Sequence, residues 1–98
     1  MGIKATEALD LTFDDLTQYL HANHSAYMEV DGRTFYLTDA NDKYWRAQDT
    51  DTFNEKSHYV DVSELVPTLS EFLELPFMDG EGIKSVFDRA VFYASEKP

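Results

Sequence analysis

Hydrophobic positions along this 98-residue chain change their spacing several times, and each change predicts a change of element. Phe13, Leu16 and Leu20 stand at i, i+3 and i+7, on one helical face. Thr12-Phe13-Asp14-Asp15 resembles a capping box with Asp in place of Glu, and acids suit a helix N-terminus. A first helix of about three turns is therefore expected, reaching about residue 24. Ahead of it, Ile3 to Leu11 fits either a short strand or an extended arm.

The period then drops to two. Ser25 to Val30 and Arg33 to Thr38 are β-prone runs separated by Asp31-Gly32, the signature of a type I′ hairpin. A two-residue loop pairs Val30 with Arg33. That register sets Met28 opposite Phe35 and Ala26 opposite Leu37 on one face, with Glu29 opposite Thr34 and Tyr27 opposite Tyr36 on the other. Asp39, Asn41 and Asp42 are turn formers, because their side chains bond to nearby backbone and tolerate left-handed conformations. Lys43 to Gln48 reads as a third strand, Asp49 to Ser57 as a polar loop, and His58 to Val62 as a fourth strand. In that last strand His58, Val60 and Val62 share one face, and Tyr59 and Asp61 the other.

Helical spacing returns after Val66-Pro67. Leu69, Phe72 and Leu73 form an i, i+3, i+4 stripe that stops before Pro76. Phe77 to Gly82 is a turn. Ile83, Val86, Phe87, Ala90, Val91 and Ala94 then fall at i, i+3, i+4, i+7, i+8 and i+11, which predicts an amphipathic C-terminal helix. The expected architecture is a single α+β domain over residues 1–98. An antiparallel sheet of 3–4 strands packs with about three helices in the order α-β-β-β-β-α-α.

Composition narrows what such a domain does. Nineteen acidic residues against eight basic ones give a formal net charge of −11, and the basic residues are scattered. Binding nucleic acid requires clustered Lys and Arg to neutralise phosphates, so that class is set aside. Acidity of this size serves solubility, or attracts a basic protein partner. The chain has no cysteine, which removes disulfides, zinc ribbons and thiol nucleophiles. No run of apolar residues is long enough to span a bilayer and no leader pattern opens the chain, so it reads as cytoplasmic, without membrane association. A myristoylation-like start (Met1-Gly2-Ile3-Lys4-Ala5-Thr6) and a sequon (Asn23-His24-Ser25) match loose patterns that also arise by chance.

Candidate chemistry is thin. Calcium loops need oxygen ligands at positions 1, 3 and 5 and Gly at 6. A frame starting at Asp39 meets Lys43 and Tyr44 there, and one starting at Asp49 meets Phe53 at position 5, so both fail. His21 and His24 lie three apart but form no HExxH or Glu-x-x-His pattern, and His24 falls beside Phe13 and Leu20 on the helical wheel. There is no GxSxG, P-loop or GxGxxG; Asp79-Gly80-Glu81-Gly82 carries two carboxylates, which suits a turn better than an anion site. No catalytic residue, metal or cofactor is assigned.

What remains is the second face of the sheet. Simple antiparallel pairing across a four-residue loop sets Tyr36 against Trp45, giving a strip of Tyr27, Tyr36 and Trp45; a bulge would bring Phe35 to Trp45 instead. The competing reading is that a helix covers this face. Tyr, Trp and Arg dominate protein-binding surfaces, so the candidate contacts are Tyr27, Tyr36, Tyr44, Trp45 and Arg46. The leading expectation is a non-enzymatic protein-interaction module. One alternative is a small-molecule binder or enzyme with a pocket between sheet and helices, using His58, Tyr59 and Asp61. Another is an acidic mimic of nucleic acid, an immunity-type inhibitor of a basic protein.

Overall fold

The computed structural model describes residues 3–40, 43–53 and 59–96. Its elements are β1 (Ile3–Leu9), α1 (Phe13–Asn23), β2 (Ser25–Val30), β3 (Arg33–Ala40), β4 (Tyr44–Phe53), β5 (Tyr59–Asp61), α2 (Leu69–Glu74), α3 (Ile83–Val86) with a 3-10 turn at Phe87–Arg89, and β6 (Val91–Glu96). The strands form one antiparallel sheet in the spatial order β1-β6-β2-β3-β4-β5. The class is α+β, but the expectation of a 3–4-stranded sheet is wrong. Six strands are present among the described residues, and the chain order is β-α-β-β-β-β-α-α-β.

Local chemistry shapes α1 as its sequence implies. Asp15 donates its backbone N–H to Thr12 Oγ1 at 3.1 Å, and Thr12 returns its own N–H to Asp15 Oδ2 at 3.2 Å. Two of the orphan donors at the helix start are thereby satisfied. The helix ends where His24 turns left-handed, at φ 63°, and donates its N–H to the Leu20 carbonyl. Leu16 and Leu20 are fully buried, each contributing about 1.5–3 kcal/mol of transfer free energy. Thr68 caps α2 in the same manner, accepting from the Glu71 N–H.

The β2–β3 hairpin has the expected register at every pair from Val30↔Arg33 to Ser25↔Thr38. Asp31 and Gly32 sit at φ 52° and 80°, as a type I′ turn requires. The ambiguous N-terminal segment is a strand, β1, paired with β6 through an irregularity between Lys4 and Ala8. β4 continues to Phe53, so the polar loop expected from Asp49 does not begin there; residues 54–57 of that loop and His58 lie outside the described residues.

The largest correction concerns residues 83–94. Helix α3 lasts four residues, and after the 3-10 turn Ala90 is already extended, at φ −93° and ψ 149°. From there the period is two: Val91 is exposed and Phe92 buried. Strand pairing explains the outcome. β2 is occupied by β3 along one edge only, and its side chains Ala26, Tyr27, Met28 and Val30 are all buried. Its remaining backbone donors and acceptors need partners. β6 supplies them, through Tyr27↔Tyr93, Met28↔Phe92 and Glu29↔Val91, and closes β1 onto the sheet as well. Val91-Phe92-Tyr93 is also better suited to a pleated strand than to a helix.

The three helices among the described residues lie on one side of the sheet. Leu16 and Leu20 of α1, Leu69, Phe72 and Leu73 of α2, and Ile83 and Val86 of α3 join one cluster with Met28, Phe35, Leu37, Trp45 and Phe92 of the strands. Among the described residues no helix is long and apolar enough to cross a membrane.

Candidate functional site

The face turned away from the helices collects tyrosines. Strand alternation and the observed registers put Tyr27 of β2, Tyr36 of β3, Tyr59 of β5 and Tyr93 of β6 on it. Arg46 and Gln48 of β4 and Asp61 of β5 lie on the same side. The rings touch: Tyr27 and Tyr36 have centroids 4.8 Å apart at 43°, and Tyr36 and Tyr59 are 5.9 Å apart at 60°. These tilted arrangements suit the quadrupoles of aromatic rings.

Tyr27 is the centre of the group, 2 % exposed although none of the described helices covers it. Its neighbours shelter it, with Tyr36 and Tyr93 directly across on the flanking strands and Tyr59 hydrogen-bonded to it. Burial pushes the Tyr27 phenol well above the ordinary tyrosine range, and the Tyr59 hydrogen bond pushes it the same way. Beside the rings runs a polar row. Gln48 donates Nε2–H to Asp61 Oδ1 at 2.9 Å and to the Tyr59 carbonyl at 3.4 Å, and Arg46 Nη1 lies 3.5 Å from Asp61 Oδ2. Arg46 Nε is buried without a hydrogen-bond partner among the described residues.

Four of the five residues expected at the site share this face: Tyr27, Tyr36, Arg46 and, exposed at the end of β4, Tyr44. Trp45 does not. Tyr36 pairs with Gln48, three positions beyond Trp45, and Trp45 pairs with Asp39. An odd offset turns every side chain of the strand to the other side of the sheet. Trp45 is therefore in the core, 6 % exposed, stacked 6.1 Å from Phe72 with the His21 ring edge-on at 6.4 Å. The neighbouring backbone locks it there, since Trp45 and Val66 exchange both N–H···O bonds.

Tyr93 and Gln48 were missed. The helical spacing of residues 83–94 hides Tyr93, although Phe92 and Ala94 alternate with Tyr93 and Ser95. Tyr59 and Asp61, expected to line a pocket between sheet and helices, face away from the helices. His58 lies outside the described residues.

The charge of the chain is not on this face. The described side chains there, from β2 to β6, include Glu29, Arg46 and Asp61 as their charged groups, two acids and one base, against a net −11 overall. Among the described residues no three His, Asp or Glu side chains group as metal ligands. His24 Nδ1 instead meets Asp39 Oδ2 at 2.6 Å, so the two histidines of α1's end serve separate partners. Depressions of about 110 and 200 Å³, one beside α3 and one between α1 and α2, are smaller than the roughly 300–1,000 Å³ of ordinary small-molecule sites. Compared with family models, curated proteins and solved structures, the chain matches none.

Proposed function

We propose that this chain is a non-enzymatic binding module that receives a basic protein partner on its tyrosine face. One observation carries the reading: the three described helices cover one side of the sheet, while the other carries half-buried Tyr36, Tyr59 and Tyr93 around the buried Tyr27, with Arg46 at their margin. Tyrosine offers large contact area at little rotamer cost, and its hydroxyl remains useful where a surface alternates between wet and covered. Tyr and Arg are also over-represented among the residues that dominate binding energy. The face itself is nearly neutral, so covering it desolvates few charges. The remaining acids give the molecule a long-range field that draws in a positively charged partner.

The test is affinity capture from native lysate at low and high salt with wild type and Tyr36→Ala. A basic protein retained by wild type, weakened by salt and lost with Tyr36→Ala supports the proposal. Capture that falls with salt but ignores Tyr36→Ala contradicts it, and is the result expected of acidic mimicry.

A further inference from the structure

Two Asp-Gly turns of the same kind meet at one end of the sheet, on the helix side. Asp31-Gly32 closes the β2–β3 hairpin, and Asp79-Gly80 closes a second two-residue turn across which Met78 and Glu81 exchange both backbone hydrogen bonds at 3.0 Å. Asp79 and Gly80 have φ 54° and 89°, nearly the values of Asp31 and Gly32. Between the two turns lies a pocket of about 110 Å³. Its floor is apolar: Val30, Phe35, Met78 and Val86 line it, and all four are buried.

The rim is charged, and its cations are already taken. Arg89 donates Nε–H to both oxygens of Asp31, at 3.1 and 3.2 Å, and Nη2–H to Glu81 at 2.8 Å. Arg33 lies 4.7 Å from the Phe35 ring and 3.8 Å from Asp49. Asp79 is the rim carboxylate with no hydrogen-bond or ion-pair partner among the described residues. An apolar floor with one unneutralised carboxylate above it matches a side chain that has an aliphatic stem and a cationic head.

We propose that this pocket receives a lysine side chain of a basic protein partner, its four-carbon stem over Val30, Met78 and Val86 and its ammonium at Asp79. The chain's excess of acid favours such a partner over an anionic one. The pocket is on the opposite side of the sheet from the tyrosines, so its occupancy does not depend on contact at that face.

The experiment is an NMR titration of the methyl signals of Val30, Met78 and Val86. The probes are n-butylammonium, n-butanol and a blocked Gly-Lys-Gly peptide, added to wild type and to Asp79→Asn. Asparagine tolerates the left-handed turn, and unchanged signals elsewhere report that the fold is kept. Saturable shifts with butylammonium and the peptide, at least tenfold weaker with butanol and with Asp79→Asn, support the proposal. Equal response to butanol, or to both proteins, overturns the charge recognition. Binding of butylammonium without the peptide overturns the docking of a protein lysine, and absence of any saturable shift overturns the pocket.

Discussion

The two sides of the central sheet are built from the same strands and both are rich in rings, yet they hold different kinds of ring. On the helix side Trp45 stacks on Phe72, Phe72 lies parallel to Phe77, and Phe77 meets Phe35 edge-on. On the other side the ring contacts among the described residues are between tyrosines. A phenyl ring asks nothing of its surroundings and is best placed where helices exclude water. A phenol needs a hydrogen-bond partner and is at home where one end can meet water or another molecule. The contrast separates a side closed by helices from one that no described helix covers.

Breaking the covered side has the largest effect. Phe72 is fully buried between Trp45 and Phe77, so Phe72→Ala is expected to cost about 3–5 kcal/mol, a large share of the stability of a domain this small. Tyr36→Ala is expected to cost about 1–2 kcal/mol, because Tyr36 is half-buried and its loss leaves no sealed cavity. Urea denaturation of both variants checks the difference, and equal costs would erase it. Trp45 fluorescence sharpens the same division. Emission is expected to be blue-shifted and shielded from iodide in wild type and in Tyr36→Ala alike; a quenchable Trp45 would put it on the wrong side of the sheet.

Alkaline pH reads the open side. Tyr27 has its pKa raised on folding, by burial first, and Tyr19 is raised by burial as well. The unfolded chain then gives up these protons first, near the ordinary tyrosine pKa of about 10. Their contribution to stability is complete below that pH and is lost as pH rises through the folded-state values. Tyr27→Phe should therefore flatten the fall of melting temperature above pH 10 while leaving Tyr19's share; an unchanged slope would mean that Tyr27 is not sheltered. The smallest effect expected is that of salt. With a net charge of −11, moderate salt should raise the melting temperature slightly by screening self-repulsion.

Sequence resolves the parts of this division that local chemistry decides. The β2–β3 register follows from a two-residue turn, so Tyr27 and Tyr36 are paired from the sequence alone. The Thr12 cap and the Leu69, Phe72, Leu73 stripe are equally local. What escapes depends on distant strands. Residues 83–96 carry both periods at once: Ile83, Val86, Phe87 and Ala90 fit a helix, while Phe92 and Ala94 alternating with Tyr93 fit a strand. The choice is made by the free edge of β2, more than sixty positions earlier in the chain. Trp45 escapes for a related reason, since its side is set by the offset between β3 and β4 rather than by its neighbours. Tyr59 and Tyr93 join the site only once the strand order is known.

The central claim is that the tyrosine side of the sheet is the main contact with the partner, whatever the pocket beside α3 also receives. A photo-crosslinking amino acid placed singly at positions 36 and 59 on one side, and 14 and 71 on the other, tests this in the native cell. Crosslinks to a basic protein from positions 36 and 59, with little from 14 and 71, are the predicted result. Crosslinks to that protein from 14 and 71 alone would contradict it.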